Sequence, residues 1–353
     1  MHQVNVIPYL TTKNLNPENQ ESPIHFLSKW KTPEEYFYLR NHFSYPHFYD
    51  MHFGLMVDGL VSNTTFISYR NILSMKSKSI VVPLECAGNK RSKFVPKVYG
   101  EQWEEGAISQ GKWRGISLRD LLSPLHISPT AKEIVFIGKD FGKRTDMLGL
   151  FYYARSLPIS KALDPDTLIA YEYNDKPITF KHGFPLRLIV PSWYAMASVK
   201  WLQWIVVIDH EFNGPFQNVD YVYYPNKETD KGKFPVTVLI VNSTIQKPLD
   251  FEILDTGKHV ITGIAWTGKG TIKKVEISTD NGKTWNTVFI KYLSNESYSW
   301  VRWSYEWEVK NKGEYTIKSR ATDSEGRVQP EEPFWNRKGY GYNAVSSVTV
   351  KVE

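Results

Sequence analysis

The sequence predicts an α+β protein of two domains, in which a mixed α+β domain is followed by a β-sandwich. With 353 residues, the chain is long for a single hydrophobic core. Residues up to about 230 mix turns, short helices and apolar strands, without regular alternation of strand and helix. After the lysine-rich stretch at 226–233 the pattern changes to short strands separated by turn residues. We therefore expect domains at residues 1–230 and 231–353.

The first domain contains one clear helix signal and several strand signals. Ser117 precedes the sequence Leu-Arg-Asp-Leu-Leu at 118–122, which is typical of a short helix capped by serine. Residues 132–138, 186–190 and 201–208 are rich in β-branched and aromatic side chains. Such runs predict buried strands.

The second domain carries a regular series of strand signals. Val275 and Ile277 alternate with polar residues, and Asp280-Asn281-Gly282 supplies a hairpin turn. The inward set would then be Val275, Ile277 and Thr279. Roughly seven short strands in some 120 residues are typical of an immunoglobulin-like sandwich. The predicted strands cover residues 236–241, 260–266, 273–279, 284–291, 300–309, 313–323 and 345–352.

Charge and hydropathy exclude several classes of protein. The net charge is +6, but lysine and arginine are scattered, so no nucleic-acid partner is expected. No apolar run reaches the length of a membrane span, because Arg187, Pro191 and Lys200 interrupt the best candidate at 186–207. The first residues lack the features of a secretory signal. With a single cysteine, this predicts a cytoplasmic location.

That single cysteine is Cys86. A lone thiol cannot form an internal disulfide or attach a c-type haem. Lys90, Arg91 and Lys93 follow it closely, and nearby cations favour the thiolate. Cys86 is therefore a candidate nucleophile or a single metal ligand; the alternative is an inert buried thiol. As a nucleophile it would need His42 or His182 as the base of a Cys–His hydrolase.

Four short segments place cations beside small or polar residues. They contain Arg40 and His42, then Cys86 to Lys93, then His182 to Arg187, then Ser198 to Lys200. Each segment alone is also compatible with a purely structural role. Together they suit an anion, because small residues let a ligand approach and arginine grips oxyanions with two hydrogen bonds. The sequence therefore predicts a site for a phosphorylated cofactor or an anionic substrate, with one thiol nearby.

In this order, the segments resemble the sulfite oxidase family of molybdenum enzymes. The resemblance runs from about Pro23 to the C-terminus. In the first domain it rests on Arg40-Asn41-His42, Cys86-Ala87-Gly88-Asn89, Trp113-Arg114-Gly115, residues 182–187 and residues 198–202. In the second domain it rests on residues 263–266, 275–285 and 335–339. One departure is Lys90, which stands where many relatives carry arginine; another is the loop at 140–150, which fits the family poorly.

The resemblance implies one molybdenum–molybdopterin cofactor per chain. Cys86 would ligate the metal, and the pterin dithiolene would supply further sulfur. The cofactor-binding positions implied in this way are Arg40, Asn41, His42, Cys86, Asp140, His182, Arg187, Ser198, Val199 and Lys200. The catalytic positions implied are Arg40, Arg91, Tyr221 and Arg302, the last reaching the substrate from the second domain.

The function implied is oxidation of sulfite, or a related sulfur oxyanion, to sulfate by oxygen-atom transfer. We expect no haem domain before the molybdenum domain, so electrons are expected to pass to a separate acceptor such as a cytochrome. The second domain would form a homodimer. Nitrate reduction is the alternative within this family. From another class, a non-enzymatic binding protein that uses its sandwich for partners remains an alternative.

Overall fold

The structure is a computed structural model that describes residues 10–47 and 53–353. It is rich in strand, with 41% strand against 12% helix. The helical part of the predicted α+β class is therefore limited to short segments. None of the helices in the described chain has the length and apolar character needed to cross a membrane.

The first part of the chain contains most of the short helices and thirteen of the described strands. The strands are β1 (Thr11–Leu15), β2 (Glu18–Glu21), β3 (Gly54–Gly59), β4 (Thr65–Ser68), β5 (Lys78–Glu85), β6 (Ile108–Ser117), β7 (Glu133–Lys143), β8 (Leu150–Pro158), β9 (Leu168–Tyr173), β10 (Lys176–Pro177), β11 (Arg187–Ile189), β12 (Leu202–Ile208) and β13 (Val222–Tyr223). The α-helices are α1 (Tyr69–Ser74), α2 (Leu118–Leu122) and α3 (Ile159–Ala162). Single 3₁₀ turns lie at Ile24–Phe26, Glu34–Tyr36, Arg91–Lys93, Ser123–Leu125, Phe180–His182 and Ala195–Ala197, and one π-helical turn at Phe216–Asp220.

Two five-stranded sheets organise this part. One has the order β10-β9-β6-β5, with β11 also on β9, and its ladders are antiparallel. The other has the order β4-β3-β12-β7-β8, in which only the β3–β12 pair is parallel. Their apolar faces share a large core that includes Leu55, Phe136 and Leu188. The loops that follow β5, β11 and the bulge of β7 converge beside this core.

The second part consists of two sheets. Its strands are β14 (Phe234–Pro235), β15 (Asn242–Lys247), β16 (Ile253–Leu254), β17 (Gly257–Trp266), β18 (Ile272–Ser278), β19 (Asn286–Thr287), β20 (Phe289–Lys291), β21 (Val301–Val309), β22 (Gly313–Asp323) and β23 (Ser346–Val352). β14 pairs with β13, and the others form the orders β15-β17-β21-β20 and β16-β23-β22-β18-β19. Val275 and Ile277 are fully buried between these sheets, as predicted, whereas Thr279 is only partly buried.

Two local predictions need correction. The helix at Leu118–Leu122 is present, but the Ser117 side chain makes no capping hydrogen bond. Residues 236–241 are not a strand. Their apolar side chains, such as Val236 and Leu239, are buried, yet the backbone is used elsewhere: Leu239 N donates to Ser192 O at 2.8 Å. Burial alone therefore produced a strand-like pattern without a ladder.

The second part also packs against the loop that carries Cys86. Gly341 N donates to Ala87 O at 2.8 Å. Lys90 is 1% exposed, has a left-handed backbone with φ of 63°, and its Nζ donates to Asn242 Oδ1 at 2.7 Å. The lysine noted as a departure thus points into the second domain and connects it to the cysteine loop.

Candidate active site

A pocket opens beside Cys86. It collects residues that are far apart in the sequence, from position 37 to position 221. Most of the predicted site residues line it, namely Arg40, Asn41, His42, Cys86, Asp140, His182, Arg187, Ser198, Lys200 and Tyr221. The other lining residues are Phe37, Tyr38, Ala87, Tyr153, Lys181, Ala195 and Met196.

Cys86 is fixed by a tight turn at the end of β5. Its backbone N–H donates to Ala107 O, and its carbonyl accepts from Asn89 N, each at 2.9 Å. The Asn89 side chain closes the turn by donating to Glu85 Oε1 at 3.1 Å. Burial raises the pKa of the Cys86 thiol, while Arg40 and Arg91 oppose that shift. The thiol therefore stays protonated unless a stronger positive charge, such as a metal ion, binds the sulfur.

Three basic side chains, Arg187, His182 and Lys200, lie close to one another in the wall of the pocket. Burial lowers the pKa of Arg187 to about 10. Burial, with Lys200 and Arg187 adding to it, lowers the pKa of His182 to about 3. Within the described chain, Arg187 Nε is buried without a hydrogen-bond partner. Cations gathered in this way, with an unused donor, form a site that an anion would complete.

Asp140 lies on the irregular part of β7 and faces the same cations. Its side chain is 4% exposed, and its Oδ1 is buried without a partner among the described residues. Burial raises its pKa, and Lys200 works against that shift. A Cβ at Gly138 would lie 2.5 Å from Asp140 Oδ1 and 2.7 Å from Lys200 O. Glycine at 138 therefore lets the strand bring Asp140 close to Lys200.

His42 and Tyr221 form a neutral pair at the wall of the pocket. Tyr221 OH lies 2.9 Å from His42 Nε2. Burial, followed by the charge of Arg40, holds the pKa of His42 well below its usual range. Burial also keeps the pKa of Tyr221 well above its usual value. The imidazole stacks on the Tyr153 ring at 4.8 Å, and the Tyr221 ring stacks on the Tyr340 ring at 5.4 Å, so both rings of the pair are held by packing.

Three predicted residues do not line the pocket. Val199 is 1% exposed within the large core. Arg91 lies behind Cys86, where Nε donates to Lys338 O at 3.1 Å and the guanidinium covers the Tyr340 ring at 5.1 Å. Arg302 is on β21 with its guanidinium 6.0 Å from the Trp30 ring, and it is not among the described residues of the pocket.

Sequence reasoning missed several residues of the site. Lys181 directly precedes His182, so the prediction of His182 as a site residue could have pointed to Lys181 as well. Tyr153 carries no motif, and only its position on the inner face of β8 reveals it. Arg144, on the loop between β7 and β8, binds Asp220 through Nη2 at 3.2 Å, next to Tyr221. Arg144 lies in the segment 140–150, which the resemblance was expected to fit poorly, so the resemblance gave no signal for it.

The geometry does not favour the Cys–His hydrolase. His42 Nε2 is hydrogen-bonded to Tyr221, and His182 Nδ1 lies 2.8 Å from Thr179 Oγ1. Both imidazoles have lowered pKa values, whereas the pKa of Cys86 is raised. A thiol that resists ionisation beside two weak bases is a poor nucleophile.

Known proteins match both parts of the chain. An oxidoreductase molybdopterin-binding domain matches residues 42–216, and a Mo-co oxidoreductase dimerisation domain matches residues 233–353. The chain is 33% identical to mitochondrial sulfite oxidase of Drosophila melanogaster, over 95% of this chain and 62% of that protein. It is 32% identical to the human mitochondrial enzyme, over 98% of this chain and 66% of that one.

Two further similarities extend these matches. Sulfite oxidase of Arabidopsis thaliana is 31% identical over 94% of this chain and 91% of its own length. The sulfane dehydrogenase SoxCD of Paracoccus pantotrophus has the same fold, with a TM-score of 0.82 at 24% identity, over 98% of this chain and 90% of that one. The fold and site thus define a molybdopterin-binding oxidoreductase. The chain belongs to the sulfite oxidase family. It spans about two thirds of the length of the animal relatives.

Proposed function

We propose that the protein oxidises sulfite to sulfate with a bound molybdenum–molybdopterin cofactor and passes the electrons to a separate acceptor. Sulfite and water would give sulfate, two protons and two electrons. The observation that carries the proposal is the position of Cys86, which shares one pocket with Arg40, Arg187 and Lys200. A soft metal ligand beside a set of cations suits a sulfur-bound metal next to an oxyanion.

The residues of the pocket fit such a cofactor. The unused Nε of Arg187, and the burial and mutual repulsion that lower the pKa values of His182 and Lys200, suit an anionic group such as a phosphate. In the described chain, no three His, Cys, Asp or Glu side chains are placed to hold a metal by themselves. A metal held by Cys86 would therefore need ligands from outside the protein, as the pterin provides. When bound, the cofactor would supply a metal centre that transfers oxygen and accepts two electrons.

The side chains around Cys86 would handle substrate and charge. Arg40 would bind a sulfite oxygen, and Arg91 would add positive charge from behind the cysteine loop. Tyr221 is neutral and hydrogen-bonded to His42, so it can orient a substrate oxygen without adding negative charge. Arg302 keeps its predicted role only as a hypothesis, because its contact is with Trp30.

We also infer that the second part is an immunoglobulin-like domain through which two chains form a homodimer. Its two sheets enclose one core, and its match is to a dimerisation domain. The domain limits 1–230 and 231–353, the absence of haem and the cytoplasmic location stay predictions. A cytochrome as acceptor stays one as well.

The test is a metal analysis joined to an activity assay. Protein from a host that makes molybdopterin should hold about one molybdenum per chain and reduce an added acceptor only when sulfite is present. Cys86→Ser should lose both properties while its thermal unfolding midpoint stays near that of the wild type. Full sulfite-dependent turnover in Cys86→Ser would refute the ligand role.

Nitrate serves as the competing substrate in the same assay. The nitrate reductase of Phaseolus vulgaris is 30% identical over 92% of this chain, but the match covers 40% of that protein. Loaded protein that reduces nitrate with an added electron donor, and leaves sulfite unchanged, would overturn the sulfite proposal and retain the cofactor. Protein without molybdenum or pterin would favour the binding-protein alternative.

A further inference from the structure

Arg155 is a buried cation beneath the pocket that the proposed function does not use. It lies on β8 two residues after Tyr153, so both side chains point to the inner face of the strand. The residue is 1% exposed. Its Nη1 donates to the carbonyl of Phe216, and its guanidinium carbon lies 5.4 Å from the centre of the Tyr221 ring.

No carboxylate forms an ion pair with Arg155 among the residues that the structure describes, although the negative charge of Asp220 acts on it electrostatically. Burial lowers the pKa of Arg155, and its Nε is buried without a partner in the same part of the chain. Arg144, by contrast, forms ion pairs with both Asp146 and Asp220. Burying an arginine without a counter-ion is unfavourable for folding. The guanidinium is therefore expected to have a role that offsets the cost of burying it and that an apolar side chain at the same position could not fill.

The contacts of Arg155 fall at both ends of one irregular turn. The π-helical segment Phe216–Asp220 begins at the carbonyl that Arg155 binds and ends directly before Tyr221. β8 adds a second contact, since Ser156 N donates to Gln217 Oε1 at 3.3 Å. A π-helical turn is a rare conformation that occurs often at functional sites. The strand, through Arg155, thus holds the turn that presents Tyr221.

We infer that Arg155 is a positioning residue that keeps the Tyr221 hydroxyl within hydrogen-bond distance of His42. The guanidinium fixes the start of the turn through the Phe216 carbonyl and supports the face of the Tyr221 ring. The planar group does both at once, which a lysine or an apolar side chain cannot. The effect on turnover rests on the proposed function, whereas the effect on the His42–Tyr221 contact does not.

The contact can be measured in the cofactor-free protein. The ring nitrogens of ¹⁵N-labelled histidine report the hydrogen bond of His42, whose signal among the nine histidines is assigned by its loss in His42→Gln. Tyr221→Phe is the reference that shows where the His42 signal lies when its hydrogen bond to Tyr221 is absent. Arg155→Met should move the His42 signal most of the way to the Tyr221→Phe position. An unchanged His42 signal in Arg155→Met would overturn the inference.

Leu157→Ala is the matched control for lost stability. Leu157 is fully buried on the same strand, so this variant should lower the thermal unfolding midpoint while leaving the His42 signal in place. If Arg155→Met does not fold, Arg155→Lys replaces it, because it keeps the charge and one donor. It should show the same displacement to a smaller extent, and a wild-type signal there would also overturn the inference.

The second measurement uses the molybdenum-loaded enzyme. Arg155→Met should lower kcat for sulfite about 10-fold or more, because misplacing a site group by about 1 Å can cost as much as 100-fold. KM should change less than kcat, since Arg155 does not line the pocket. Wild-type protein that does not turn over sulfite would defeat the proposed function, and the histidine signal would still decide the role of Arg155.

Discussion

Trp266 Nε1 donates a hydrogen bond of 2.8 Å to Glu85 Oε2, and Glu85 is the residue directly before Cys86. Glu85 is 2% exposed, and the other oxygen of its carboxyl group accepts from Asn89. Burial raises the pKa of Glu85 to about 7. An indole from β17 thus helps to hold the end of β5, so the second part of the chain supports the geometry of the cysteine loop.

Removing this donor should destabilise the protein. Trp266→Phe leaves one oxygen of a buried carboxyl group without its partner, which typically costs about 1–3 kcal/mol in the free energy of unfolding. Urea unfolding measures the change. A cycle with Glu85→Gln separates the hydrogen bond from the lost packing of the indole. Trp285→Phe, at a partly exposed tryptophan of the same domain, is the control; an equal loss in both single variants would contradict this role for Trp266.

His182 should make the cofactor-free protein sensitive to acid. Its pKa falls from the usual 6.5 to about 3 in the folded state, so the folded protein binds fewer protons than the unfolded chain between these values. The contribution of His182 to stability is then complete above pH 6.5 and is lost as the pH falls toward 3, by as much as about 5 kcal/mol. Urea unfolding at pH 7.5, 6 and 5 measures the slope.

His182→Gln is the control for this slope, because glutamine does not titrate. The variant should show a smaller loss of stability over the same pH range. Cofactor-loaded protein should also lose less, since an anion beside His182 favours the protonated ring. Equal slopes for the wild type and His182→Gln in the cofactor-free state would contradict the depressed pKa.

The sequence predicted the members of the pocket better than their arrangement. Each segment with cations beside small residues contributed a lining residue, because the anion-binding chemistry is visible in residue types alone. The distance between Arg40 and Tyr221 along the chain is closed by the sheets, which local patterns do not reveal. Arg155 and Tyr153 carry no motif, and their role depends on which face of β8 turns inward.

The prediction of a strand at 236–241 was wrong for a related reason. Val236 and Leu239 are as buried as strand residues, but Val236 N donates to Tyr221 O at 3.0 Å and Leu239 N to Ser192 O at 2.8 Å. This segment joins the two parts of the chain instead of extending a sheet. Hydrophobic pattern reports burial, and it does not report which backbone receives the hydrogen bonds.

Lys200 should lower the stability of the cofactor-free protein while helping it to bind the cofactor. Burial and the charge of Arg187 lower its pKa. Lys200→Met removes this repulsion, so the thermal unfolding midpoint should stay the same or rise. Molybdenum content after extensive dialysis should fall, because a cation that faces the anionic cofactor is lost.

Lys231→Met is the control for Lys200, since Lys231 is exposed on the stretch between the two parts. It should change neither the unfolding midpoint nor the molybdenum content. A Lys200→Met protein that unfolds at lower temperature and keeps its molybdenum would show that Lys200 has a structural role only.

Substitutions of Arg40 and of Arg302 should have different effects on the KM for sulfite. Arg40 lines the pocket, so Arg40→Met should raise KM for sulfite about 10-fold or more, which is the typical loss for a charged hydrogen bond to an anion. Arg302 lies over Trp30, a contact that contributes about 1 kcal/mol or less to stability at a partly exposed site. Arg302→Met should therefore leave KM within about twofold, because a contact of that kind affects stability and not substrate binding.

Rates are compared per bound molybdenum, so that lost cofactor is not mistaken for weak substrate binding. An equal rise of KM in both variants would mean that Arg302 reaches the substrate, as the family resemblance implied, in an arrangement that differs from the one described for this chain.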